Sequence, residues 1–169
     1  MWLVMAKNGR KRTERCTRAE PPHSIEPASV DDKGRLKLPA KVVEYLNATG
    51  VTEVFISTTD LRQVTIYPLS VWQRNEELFE NPGDDVEAAE RLALLMKHYG
   101  GDSAIDPSGR VLLPAPLRQE LGLEKQSVVV QFQGGCFNVR SRKVHEEQLQ
   151  VSRASLAQDS GLLKKRGLK

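Results

Sequence analysis

A gapless internal repeat constrains this chain more than any other feature. Residues 30–46 read VDDKGRLKLPAKVVEYL and residues 105–121 read IDPSGRVLLPAPLRQEL, at a constant offset of 75. Asp31/Asp106, Gly34/Gly109, Arg35/Arg110, Leu38/Leu113, Pro39/Pro114, Ala40/Ala115 and Leu46/Leu121 are identical. Val30/Ile105 and Leu36/Val111 exchange apolar residues of similar size. A match this dense implies two copies of one supersecondary unit related by a pseudo-twofold. Each copy reads as a strand, a tight glycine turn, a return strand and a helix opened by proline, whose missing N–H costs nothing in a first helical turn. A unit of ~60 residues buries little surface alone. The halves of this 169-residue chain are therefore expected to share one core or to pair with other subunits.

Turn residues and hydrophobic periodicity divide the chain further. Residues 1–24 read as a basic flexible arm, 25–80 as the first repeat with a following helix, 81–101 as a linker and connecting helix, 102–151 as the second repeat, and 152–169 as a basic tail without fixed structure. Strands are expected near 29–31, 35–38, 102–106 and 110–113. Hairpins are expected over 52–58 with 63–67 and over 127–132 with 136–140. Helices are expected to about Leu46, from the capping-box spacing of Ser70-Val-Trp-Gln73 to Glu80, over 85–99, over 114–121 and over 142–150.

Charge is distributed unevenly. Residues 1–24 and 152–169 each carry a net +4, whereas 25–151 hold 14 basic and 19 acidic residues. A basic body is thus no argument for nucleic acid, and any such argument rests on local clusters. One cluster stands out. In Lys33-Gly34-Arg35-Leu36-Lys37-Leu38, strand alternation puts Lys33, Arg35 and Lys37 on one face and the leucines on the other. Lys41 follows on the next helical turn. The plain alternative is a solvated edge protected from aggregation by lysine. The second copy keeps only Arg110 of these cations. Common to both copies is Asp-x-x-Gly-Arg, in which Asp31 and Asp106 orient the turns at Gly34 and Gly109. Arg35 and Arg110, presented on rigid strands, are then available for phosphate or a guanine edge.

Signals for catalysis are weak. No G-x-S-x-G, Walker-type loop, H-E-x-x-H or Cys-x-x-Cys occurs, and His23, His98 and His145 stand far apart. No catalytic residue, metal site, cofactor or small-molecule substrate is expected. Cys16 and Cys136 sit in dissimilar settings, which argues against a disulfide framework and for a reducing, cytoplasmic compartment. Cys136, inside a strand, reads as a small buried apolar residue, and Trp72 reads as a packing residue. No stretch approaches the ~18 apolar residues of a membrane-spanning helix.

D-x-x-G-R, followed by an apolar–polar–apolar strand and Pro-Ala, resembles the SpoVT/AbrB-type DNA-binding element. Two copies in one chain, with Tyr67-Pro68-Leu69 and Trp72 closing the first, resemble the MraZ family over about residues 28–149. The resemblance implies an α+β, β-rich fold of two interlocked, swapped-hairpin, double-wing units with short helices. It implies a sequence-specific, double-stranded DNA-binding transcriptional regulator of the division and cell-wall gene cluster, nucleoid-associated, which assembles into a ring-like homo-oligomer on repeated promoter boxes. Arg35 and Arg110 would be the principal contacts, with Lys33, Lys37 and Lys41 on phosphates around them. The rival readings are an AbrB-like antitoxin and an oligomeric scaffold that binds no DNA. Two departures from the family pattern are Arg140, where an aromatic is usual, and the lack of a second-copy counterpart to Trp72.

Overall fold

Each repeat folds as its pattern dictates. The computed structural model of the chain describes residues 19–169, so most of the basic arm, residues 1–18, lies outside the described residues. In the first unit β1 (Glu26–Val30) leads through a turn into β2 (Arg35–Lys37), α1 (Ala40–Ala48) and the hairpin β3 (Glu53–Ser57) and β4 (Val64–Pro68). Two helices, α2 (Leu69–Glu80) and α3 (Val86–Tyr99), connect it to the second unit. There β5 (Gly101–Ala104), β6 (Arg110–Leu112), α4 (Ala115–Glu120) and the hairpin β7 (Ser127–Gln133) and β8 (Cys136–Ser141) repeat the plan, and α5 (Arg142–Lys164) ends it.

The units are interlocked. The sheet runs β5-β3-β4-β8-β7-β1-β2-β6, so β1 of the first unit lies against the second hairpin and β5 of the second unit against the first. The hairpins join through β4 and β8, with Ile66 opposite Phe137. At the other end β2 and β6 pair antiparallel, Leu36 facing Val111, Lys37 facing Arg110 and Arg35 facing Leu112. Leu36 and Val111 are repeat counterparts, so the pseudo-twofold passes through that pair. The flanking bonds obey it, Leu38 N–H donating to Gly109 C=O and Leu113 N–H to Gly34 C=O, each at 2.9 Å. The ends of the sheet approach each other, where Leu112 N–H donates to Ser103 Oγ at 3.0 Å. The result is a nearly closed, antiparallel α+β barrel-like fold of the AbrB type.

The apolar residues of both repeats fill one core, from Val30, Leu36, Leu38, Val42 and Leu46 to Val111, Leu113, Leu117, Val128 and Phe137. Burying these side chains contributes roughly 1.5–3 kcal/mol each, and neither half holds that core alone. A smaller cluster lies under α2 and α3, where Trp72 stacks on Phe55 at 3.8 Å and meets Tyr67, Met96 and Cys136. Trp72 and Cys136 are therefore packing residues, as their sequence settings imply, and burial pushes the Cys136 thiol up.

Two local expectations change. The Ser70 capping box does not form, because α2 begins at Leu69 directly after Pro68 and Ser70 already lies inside the helix. Pro68, like Pro39 and Pro114, occupies the N-cap position with extended ψ, turning a strand end straight into a helix. The tail is the larger correction. Residues 152–164, read from their charge as unstructured, continue α5 as helix, started by Ser141 Oγ, which accepts from Val144 N–H at 3.3 Å. Leu149, Leu156 and Leu163 recur every seven residues there and no proline interrupts them, a helical signal that the net charge concealed.

Candidate nucleic-acid interface

The two Asp-x-x-Gly-Arg turns are built alike. Asp31 Oδ1 accepts from the backbone N–H groups of Lys33 and Arg35, each at 2.9 Å, and Asp31 Oδ2 accepts from Arg35 Nε at 2.7 Å. Asp106 does the same for Ser108 and Arg110, at 2.8 and 2.9 Å through Oδ1, and for Arg110 Nε at 2.8 Å through Oδ2. A carboxylate fits this task because its two oxygens accept at once from the turn and from the guanidinium. Gly34 and Gly109 stand at φ +77° and +70°, which L side chains rarely adopt. Each lies under a helix of the other unit. A Cβ on Gly34 would sit 2.4 Å from Arg118 Nη1, and one on Gly109 2.8 Å from Val43 Cγ2.

Both arginines are held by Nε and are about one-third exposed. Among the described residues Asp31 and Asp106 are the guanidinium partners, and neither Nη pair makes a hydrogen bond there. The strand pairing sets them on one surface. Arg35, Lys37, Arg110 and Leu112 share the outer face of the β2–β6 ribbon, and Leu36 and Val111 the buried one. Lys37 stands opposite Arg110, an unfavourable like-charge pairing, and its Nζ donates to Ser108 C=O, beside the second turn rather than its own. Lys33 lies exposed at the first turn. The cations are thus shared across the pseudo-twofold, so the second turn is less bare than its own sequence indicates.

Lys41 is not gathered with them. Its Nζ pairs with Glu26 Oε1 at 2.8 Å, which holds the Glu26 carboxyl below the usual range. Sequence reasoning missed the placement of Arg118. Bound to Glu124 at 3.0 Å and to Leu113 C=O at 3.1 Å, it braces the Gly34 turn from the opposite unit. The repeat offset held that signal, since Arg118 is the counterpart of Val43, which covers Gly109. Arg140 is buried, its Nη groups donating to Gln131 and Gln148 and tying β8 to β7 and α5. Among the described residues no group of His, Cys, Asp or Glu gathers as for a metal ion, and no helix is long and apolar enough to cross a membrane.

The turn carboxylates link the ribbon to pH. The Arg35 backbone N–H is the main influence holding Asp31 below its ordinary value, and the guanidinium adds to it. Partial burial pushes Asp106 up, but the Arg110 N–H and guanidinium together with the Ser108 N–H outweigh it. A depressed carboxyl stabilises the fold above the unfolded value near 3.8 and loses that contribution as the pH falls through the lower folded value. Asp31→Asn with Asp106→Asn should therefore melt below wild type at neutral pH. The two melting curves should converge as the pH drops below 3.8.

Two repeated units, interlocked by exchanged strands and presenting Asp-anchored arginines on a shared ribbon, define a protein of the SpoVT/AbrB-like class. The model of a family described as "MraZ protein, putative antitoxin-like" matches residues 102–166. A protein of Idiomarina loihiensis named transcriptional regulator MraZ is 38% identical over 104 residues, 60% of this chain and 68% of the relative. Relatives of the same name from a Marinomonas species and from Acidobacterium capsulatum are 32% and 29% identical, covering 73% and 84% of this chain and 82% and 96% of their own lengths. The chain belongs to the MraZ family, and the relatives it matches carry the name of transcriptional regulators.

Proposed function

We propose that this chain is a transcriptional regulator that binds double-stranded DNA in a sequence-specific manner through the outer face of the β2–β6 ribbon. The observation that carries the reading is the pair of arginines on one face of the ribbon, each anchored by Nε on an aspartate and about one-third exposed. A two-stranded ribbon fits the major groove, where arginine reads the O6 and N7 acceptors of guanine. Arg35 and Arg110 lie diagonally across the pair, roughly 7–8 Å apart, close to two base steps at about 3.4 Å each. Lys33 and Lys37 neutralise flanking phosphates, and the juxtaposition of Lys37 with Arg110 finds its counter-charge there. Lys41, engaged by Glu26, contributes less. Asp31, Gly34, Asp106 and Gly109 hold the geometry.

One ribbon makes few contacts, so the working form is a ring-like homo-oligomer on repeated promoter boxes, where effective concentration multiplies weak binding. The promoter of its own gene in the division and cell-wall cluster is the target, and the protein acts in the cytoplasm at the nucleoid. The test is to titrate duplex from upstream of the gene, and a scrambled duplex, at several salt concentrations. Tight, sequence-dependent binding supports the reading; equal or absent binding to both duplexes overturns it. Lys33→Ala with Lys37→Ala should lower the salt slope by about one to two units, whereas Lys41→Ala should leave it nearly unchanged.

A further inference from the structure

Among the described residues nothing covers the second half of α5. Val151, Leu156, Leu162 and Leu163 are all exposed, Val151 and Leu156 at 73% and 64%. Leu149, Leu156 and Leu163, spaced by seven, form an apolar stripe along one face, while Val151 and Leu162 fall on the opposite side of the helix. The segment also carries Arg153, Lys164, Lys165, Arg166 and Lys169 against Asp159.

The chain holds a matching surface elsewhere. The α2–α3 helical pair, residues 69–99, has seven acidic and three basic residues, a net −4 against the +4 of residues 152–169. Leu78, Val86 and Leu94 are exposed on it, Leu94 at 73%. Glu87, Glu90 and Leu94 fall on one face of α3 by their spacing. Both surfaces stay exposed within a single chain, so neither covers the other. Pairing α5 with the α5 of another copy would set +4 against +4.

We propose that the second half of α5 in one copy docks on the α2–α3 pair of a second copy, apolar stripe on apolar residues, with the basic helix end against the acidic carboxylates. This contact rests on the self-association proposed above and names the surfaces that make it. The contact is heterologous, so repetition closes a ring when the rotation permits. It leaves the β2–β6 ribbon of every copy free.

Sedimentation velocity of the full chain tests the proposal. Lys164→Glu with Lys165→Glu and Arg166→Glu, and separately Glu80→Lys with Glu87→Lys and Glu90→Lys, should each weaken association at least about tenfold by opposing like charges. Mixing the two variants should restore assembly, because each then offers the complement of the other at both contacts. Circular dichroism and binding to a duplex with a single box control for folding and for the ribbon, and both should match wild type. Either variant assembling like wild type, or a mixture that stays dissociated, overturns the contact while leaving the DNA reading intact. A wild-type chain that remains monomeric overturns the contact and the proposed ring together.

Discussion

Arg35→Ala combined with Arg110→Ala should abolish discrimination between promoter and scrambled duplex while the fold and the melting temperature change little. Each arginine is about one-third exposed, so its ion pair with aspartate is a modest contribution to stability. Against a base edge the same group is typically worth about 1–3 kcal/mol of discrimination. Two such losses in one ribbon, repeated over an assembly, exceed what phosphate contacts recover. Arg35→Lys separates charge from shape. It keeps the cation but loses the planar fork that meets two acceptors while Nε stays on Asp31. Non-specific affinity should survive in that variant while specificity falls. Anisotropy titrations with both duplexes, alongside thermal melts, read the outcome, and promoter selectivity retained by the double variant would remove the two arginines from recognition.

Leu36→Ala should be the most damaging single truncation for the fold. Leu36 is fully buried, faces its repeat counterpart Val111, and sits where the two units meet on the pseudo-twofold. Leucine-to-alanine changes in a packed core cost about 2–5 kcal/mol, a large share of the ~5–15 kcal/mol that holds a typical domain. The cost falls on both units, since the core is common to them, so unfolding should remain a single transition at lower denaturant. Leu112→Ala, on the outer face of the same ribbon and 53% exposed, should stay within roughly 0.5 kcal/mol of wild type. Urea unfolding of the two variants distinguishes them, and a Leu36→Ala protein as stable as Leu112→Ala would contradict the shared core.

Much of this architecture was legible because the repeat carries it. The alternation in Arg35-Leu36-Lys37 separates the core face from the cationic face. The Asp and Gly of each turn are the residue types that such a turn requires, and a single offset aligns them. What could not be read locally is where the chain crosses itself. Lys37 serves the second turn and Arg118 braces the first because the units exchange neighbours through the β2–β6 pairing. No periodicity within either segment encodes that crossing. Lys41 looked like part of the strip from its spacing, but a carboxylate on β1 holds it. The end of α5 was obscured for another reason. Net charge is a property of composition, and it hid a seven-residue leucine spacing that composition cannot register.

The central claim is that the outer face of the β2–β6 ribbon meets DNA, and lysine reactivity tests it most directly. Acylating the protein with and without saturating promoter duplex, then mapping the modified lysines by mass spectrometry, compares exposed amines on every side of the molecule. Lys33 and Lys37 should lose reactivity when the duplex is bound, while Lys97 on α3 and Lys143 at the start of α5 keep theirs. Protection of Lys97 or Lys143 with Lys33 and Lys37 still reactive would contradict the account and move the DNA-binding surface to another face.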